Sequence, residues 1–273
     1  MYSIHGRRAA VDASVADHTL TVRISAATHK GYIRRANEDT ILVGDWIGYG
    51  ESASRTFEWG VDHRGLLLAV ADGLGGHRAG EVASRFVVEE LSQRAEPGSL
   101  VLEESLTKTL RGIDTDLRNM ALGTPSLHGM GSTLAAAYIS ASGLTIANVG
   151  DSRAYVFDSR DGLRQVSLDH VPQSASYERQ LAGRRRTTHA ITQAFGGSVS
   201  KTRPLRPHIV QLPASLPGSS LLLCSDGLSD LVDEVALIAS LASERTGADA
   251  LVRQALEAGG IDNISAIIVR FGS

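Results

Sequence analysis

The chain has 273 residues, 42% of them apolar and 21% charged, with a net charge of −3. That is enough apolar sequence for a sizeable core, and the missing basic excess argues against a nucleic-acid partner. The single cysteine, Cys224, excludes an intramolecular disulfide and fits a reducing, cytoplasmic setting, and no apolar run approaches the ~18 residues of a membrane span.

Residues 1–19 lack the apolar stretch of a secretory signal and read as a flexible N-terminal tail. With no internal repeat and no low-complexity linker, residues 20–273 read as a single domain. Short runs rich in β-branched residues and bounded by Gly, Asp or Asn predict strands over 20–26, 40–43, 66–71, 132–139, 145–149, 153–157, 220–225 and 264–271. Between them, Ala83, Val87 and Leu91 share one helical face, as do Leu102, Leu106, Leu110, Ile113 and Leu117. A further helix over 249–258 stops at Gly259-Gly260. Strand clusters separated by helices point to α+β layers rather than a regular βαβ alternation. Two segments stand apart. Residues 44–65 carry both tryptophans and read as an extended hairpin or a surface excursion. Residues 169–217 are polar, hold the basic knot Arg184-Arg185-Arg186, and read as one long loop of the kind that is usually functional.

The ends of the apolar runs carry the chemistry. Asp39 opens 40–43, Asp72 ends LLLAVA, Asp151 follows LTIANVG, Asp226 ends SLLLCS and Asp262 precedes NISAIIVRF. Each aspartate alone is explained by a turn or a helix cap. Five at the edge of a core are costly unless paired or bound to a cation, and only Arg34, Arg78 and Arg153 lie close in sequence. The candidate donors are all oxygen, which suits Mg²⁺ or Mn²⁺ rather than zinc. In ADGLGGHRAGE a phosphate cradle is the rival reading. It does poorly, since Glu81-Val82 stands where a P-loop needs Lys-Ser/Thr. Gly73 could instead offer its carbonyl to the ion held by Asp72. Cys224 has Asp230, not arginine, six residues on, and no GxSxG elbow is present. Cys224 therefore reads as a small core residue, and Asp169-His170 as structural.

Eight segments occur together in one order: GYIRRANED (31–39), VADGLGGHRAGE (70–81), GMGST (129–133), ANVGDSRAYVF (147–157), SLDH (167–170), ITQAFGG (191–197), LLLCSDGLSD (221–230) and DNIS (262–265). In these the sequence resembles the PP2C-type (PPM) metal-dependent protein serine/threonine phosphatases, specifically the bacterial members. The resemblance implies a four-layer αββα sandwich with two central antiparallel sheets flanked by helix pairs. It implies that Asp72 bridges two Mg²⁺ or Mn²⁺ ions, with the Gly73 carbonyl on the first and Asp226 and Asp262 completing the second. Asp39, helped by Glu38, would hold water at the metals, and Asp151 with Asp226 would bind a third ion. Arg34 would hold the substrate phosphate, with Arg35 its competitor for that role. His77 is a candidate general acid, although it sits three residues beyond the position of the animal-type histidine, where Leu74 stands; capping or packing is its alternative. The implied partners are phosphoproteins and a cognate Ser/Thr kinase, for a monomeric enzyme. An inactive phosphoprotein-binding module of the same fold and a small-molecule phosphomonoesterase are the rival functions.

Overall fold

The computed structural model describes residues 20–75, 79–96, 100–172, 190–197, 204–213 and 218–272. The first strands are β1 (Leu20–His29), β2 (Asp39–Val43), β3 (Trp46–Gly48), β4 (Ser52–Val61) and β5 (Leu66–Leu74). Helices α1 (Ala79–Arg94) and α2 (Glu103–Gly123) follow, then β6 (Gly131–Ser132), β7 (Leu134–Ser140), β8 (Gly143–Val149), β9 (Arg153–Asp158) and β10 (Gly162–Gln165). The last part holds β11 (Phe195–Gly196), β12 (His208–Pro213), β13 (Ser220–Cys224), the helical turn α3 (Asp226–Ser229), α4 (Glu234–Ala242), α5 (Ala248–Glu257) and β14 (Ile264–Phe271).

Two antiparallel sheets result. One has the order β10-β9-β13-β14-β1-β4. In the other, β5 is central: β2 and then β3 lie on one side, and β7, β8 and β12 on the other. β6 continues the line of β7 along the end of β5, interrupted only at Thr133, and carries β11 on its far edge.

The apolar runs explain the layering. In β5, Leu66, Leu68 and Val70 point into a core shared by both sheets, together with Ile24, Leu221, Leu223, Ile267 and Val269. Leu67, Ala69 and Ala71 point the other way, into a core with α1 and α2. In β13 and β14, Leu222, Cys224, Ala266 and Ile268 meet α4 and α5 on the opposite outer face. Strands covered on both faces read as unbroken apolar runs instead of alternating ones. The αββα sandwich implied by the resemblance is thus observed.

Several elements differ from the sequence reading. Residues 44–65 form neither a single hairpin nor a free excursion. β3 pairs with β2 in one sheet, and the chain then crosses to the other, where β4 pairs with β1 along ten residues. The 169–217 stretch is not all loop, because β12 forms an edge strand on β8. α4 went unpredicted, although Asp233 caps it by accepting a hydrogen bond from the Ala236 N–H at 2.8 Å. Helix α2 buries Leu106, Leu110, Ile113 and Leu117 as expected, but Leu102 precedes the helix and is exposed.

Candidate active site

The five strand-end carboxylates gather at one end of the sandwich. Asp39 faces Asp72 in register across β2 and β5. Asp226 opens α3 directly after β13, Asp262 lies two residues before β14, and Asp151 sits between β8 and β9. One sheet supplies Asp39 and Asp72, and the other Asp226 and Asp262. Burial, and then the charges of Asp39, Asp226, Asp262 and Asp151, hold Asp72 well above the usual carboxylate range. Asp39, 1% exposed, is pushed up to about 7 by burial; hydrogen bonds from Ser265 and Ser225 oppose the shift, and Asp262 and Asp226 add to it. Burial also raises Glu38 to about 7, against the pull of Arg34.

Small polar groups set the geometry. Oδ2 of Asp39 accepts from Ser265 Oγ at 2.6 Å and Ser225 Oγ at 2.8 Å, while its buried Oδ1 has no hydrogen-bond partner among the described residues. The Asp72 N–H donates to Thr133 Oγ1, whose hydroxyl lies 2.7 Å from Ser152 Oγ beside Asp151. Asn263 accepts from the Glu38 N–H at 2.9 Å and donates to the carbonyls of Lys30 and Ala36, tying the β1–β2 loop to the segment before β14. Gly73 is required by close packing: a Cβ there would overlap the Gly80 carbonyl at the start of α1 and lie 2.7 Å from the Glu38 carbonyl. Gly73 lies within β5, so its need is proximity to α1.

Arg34 donates to Asp262 Oδ2 at 2.7 Å and feels the charges of Asp72 and Glu38. Asp169-His170 is structural, as the sequence suggests. Asp169 takes a bidentate contact from the buried Arg153, which also donates to Tyr155 Oη at 2.9 Å. His170 Nδ1 accepts from the Gly150 N–H at 3.0 Å and fixes the turn before Asp151. Cys224 is fully buried, and burial pushes its thiol up to about 12. His77 and Arg184 to Arg186 lie outside the described residues. Sequence reasoning gave no role to Ser225, Ser265, Thr133 or Asn263, although GMGST, LLLCSDGLSD and DNIS contain them.

The donors around Asp72 are oxygen only, the chemistry of a hard divalent cation. Among the described residues no three His, Cys, Asp or Glu side chains are drawn together tightly enough to cage an ion as they stand. Carboxylates that raise one another's pKa repel, and a cation between them reverses that sign.

A sequence model described as protein phosphatase 2C matches residues 54–257. The chain belongs to the protein phosphatase 2C family. With that family it is a protein serine/threonine phosphatase. It is 34% identical to the serine/threonine phosphatase stp of Listeria innocua over 74% of this chain and 83% of that protein. It is 30% identical to the serine/threonine protein phosphatase PstP of Mycobacterium tuberculosis over 92% of this chain, but spans only 45% of the length of PstP. The crystal structure of the PstP catalytic domain in complex with two manganese ions superposes with a TM-score of 0.70 at 28% identity, covering 93% of this chain and all of that one. No helix of the phosphatase, among the described residues, is long and apolar enough to cross a membrane.

Proposed function

We propose that this phosphatase removes phosphate from phosphoserine and phosphothreonine in proteins by metal-assisted attack of water, and that it acts in the cytoplasm as a monomer opposing a Ser/Thr kinase. One observation carries the reading: four other strand-end carboxylates act on Asp72, and the facing Asp39 keeps a buried oxygen without a hydrogen-bond partner among the described residues. The oxygen-only donors and the orphaned Oδ1 fit Mg²⁺ or Mn²⁺. Asp72, the Gly73 carbonyl, Asp226 and Asp262 would hold two ions, and Asp151 with Asp226 a third. Bound cations would supply the electrostatic stabilisation that a slow phosphate monoester hydrolysis demands, and would lower the pKa of water.

This chain's own groups do the rest. Asp39 is fixed through Oδ2 by Ser225 and Ser265, which leaves Oδ1 to orient water by accepting its proton in a hydrogen bond. Glu38 stands beside it and supports the same solvent. Arg34 grips the substrate phosphate, since a guanidinium can bind two phosphate oxygens side by side. Arg34 is favoured over Arg35 by its place against Asp262 and in the field of Asp72. No serine or cysteine nucleophile is used, which agrees with the buried, weakly acidic Cys224. His77 is a candidate general acid by position in the motif only. Residues 20–273 would act as one catalytic domain.

The test is hydrolysis of p-nitrophenyl phosphate and of a phosphothreonine peptide with Mn²⁺ and with EDTA, by the wild type and Asp226→Ala. Mn²⁺-dependent turnover lost with EDTA and in the variant is expected. Folded wild-type protein that turns over neither substrate in Mn²⁺ or Mg²⁺ would remove the proposal.

A further inference from the structure

Three large apolar side chains stand in solvent at the rim of the carboxylate cleft. Tyr32 is 67% exposed, Ile33 69% and Ile261 54%. Tyr32 and Ile33 lead directly into Arg34, Ile261 leads into Asp262, and Arg34 and Asp262 are joined at 2.7 Å. The patch therefore flanks the arginine that would take the phosphate. Exposed apolar residues scattered singly need no explanation, whereas contiguous ones at a rim mark a contact surface.

The patch is rigidly mounted. The Tyr32 N–H donates to the Gly260 carbonyl at 2.7 Å, and the Gly31 N–H to His29 Nδ1 at 2.9 Å. The Tyr32 ring stands edge-on to His29, with centroids 6.4 Å apart. Gly31 has φ +79°, and a Cβ there would overlap the Asp262 carbonyl. Asn263 closes the frame through Lys30 and Ala36. The two loops form one welded unit. Its apolar tips are held out in water, so exposing them costs free energy that a bound apolar group would recover.

We propose that Tyr32, Ile33 and Ile261 form a docking surface for an apolar side chain of the substrate protein, one or two residues from the phosphorylated serine or threonine. The inference rests on the phosphoprotein reading of the site. A substrate whose phosphate reaches Arg34 must lay its main chain over this rim. An extended chain advances about 3.5 Å per residue and successive Cα atoms lie about 3.8 Å apart. A residue beside the phosphorylated one therefore falls where the immediate neighbours of Arg34 stand. An apolar neighbour covers the patch, whereas a polar one leaves it in water. Burying about 60 Å² of apolar surface gives about a tenfold preference, equivalent to about 1.4 kcal/mol.

The experiment compares kcat/KM of the Mn²⁺-loaded enzyme for phosphothreonine peptides that carry Leu or Ser at the adjoining positions, with p-nitrophenyl phosphate as a substrate that has no flanking residue. The wild type, Ile33→Ser and Ile261→Ser are measured. The wild type is expected to prefer the Leu peptides about tenfold. Each variant should reduce that preference at least threefold, leaving p-nitrophenyl phosphate and the Ser peptide unchanged. Equal turnover of Leu and Ser peptides by the wild type would overturn the docking surface while leaving the phosphatase reading intact. Equal losses on all substrates in the variants would also overturn it, because the side chains would then act on the position of Arg34. No turnover of any substrate by the wild type would sink the reading beneath it and the docking surface together.

Discussion

Replacing Asp39 by asparagine is expected to stabilise the metal-free protein at pH 7.5 while destroying its activity. The carboxylate is 1% exposed, and its pKa rises from 3.8 to about 7. At about 1.36 kcal/mol per pKa unit the fold carries up to about 4 kcal/mol of destabilisation at neutral pH. The cluster titrates as a unit, so its neighbours take up part of the relief, and about 2 kcal/mol is the expected gain. In a chain of this size that is a rise of about 4–8 °C in Tm. Asparagine keeps an oxygen for Ser225 and Ser265 and offers an amide toward the remaining carboxylates. The sign follows from linkage. The folded pKa lies above the unfolded one, so the folded state loses stability as pH rises from about 4 to about 7. The advantage of the variant should therefore be full above pH 7 and fall below about 1 kcal/mol at pH 4. The assay is calorimetric melting in EDTA at pH 7.5 and pH 4, repeated with Mn²⁺. Binding to the folded state should then favour the wild type and narrow or reverse the order. A variant no more stable than wild type in EDTA at pH 7.5, or an advantage that survives unchanged at pH 4, would refute the reasoning.

Gly73→Ala places a methyl group against the Gly80 carbonyl. It should cost about 1–3 kcal/mol by urea denaturation and, by shifting Asp72, cut phosphatase activity at least tenfold. Arg153→Met leaves Asp169 without its buried cation. A loss of about 3–5 kcal/mol is expected from the urea midpoint, most of it restored by adding Asp169→Leu. Ser265→Ala removes a 2.6 Å hydrogen bond that favours ionised Asp39. It should raise the Mn²⁺ concentration for half-maximal activity about tenfold, with a smaller effect at higher pH. Cys224, fully buried with its thiol near 12, should resist a disulfide reagent at pH 8 in the native protein and react fully once unfolded. Rapid native labelling would contradict the burial.

The site was legible where charge interrupts apolar sequence. Asp72 after LLLAVA and Asp226 after SLLLCS stand out because strands covered on both faces leave no other charged residue in the run. Ser225, Ser265 and Thr133 were not legible in the same way. Small hydroxyl residues occur in any turn, and their role appears only when β13, β14 and β6 bring them to Asp39 and Asp72. The fold shows the same division. Central strands announced themselves, whereas β4 did not. SASRTFEWGV exposes much of its length at a sheet edge, and its sequence does not say that it leaves the sheet of β2 and β3 for that of β1. β12 was hidden for the same reason, as a half-exposed edge strand inside a polar stretch. α4 buries only Leu237, Ser240 and Leu241, too few to impose a clear period, so Asp233 was its one readable signal.

The position of β14 has a consequence in time. It pairs with β13 on one side and β1 on the other, and so joins the β10-β9-β13 half of its sheet to the β1-β4 half. The opposite sheet takes its central strands from residues 39–149, so they leave the ribosome long before β14 does. A nascent chain that stops short of residue 264 thus carries one near-complete sheet facing two unjoined half-sheets. Because Asp262 lies in the same late segment, closing the fold and completing the carboxylate cluster become one event. The chain cannot assemble its full charge set before its architecture is finished.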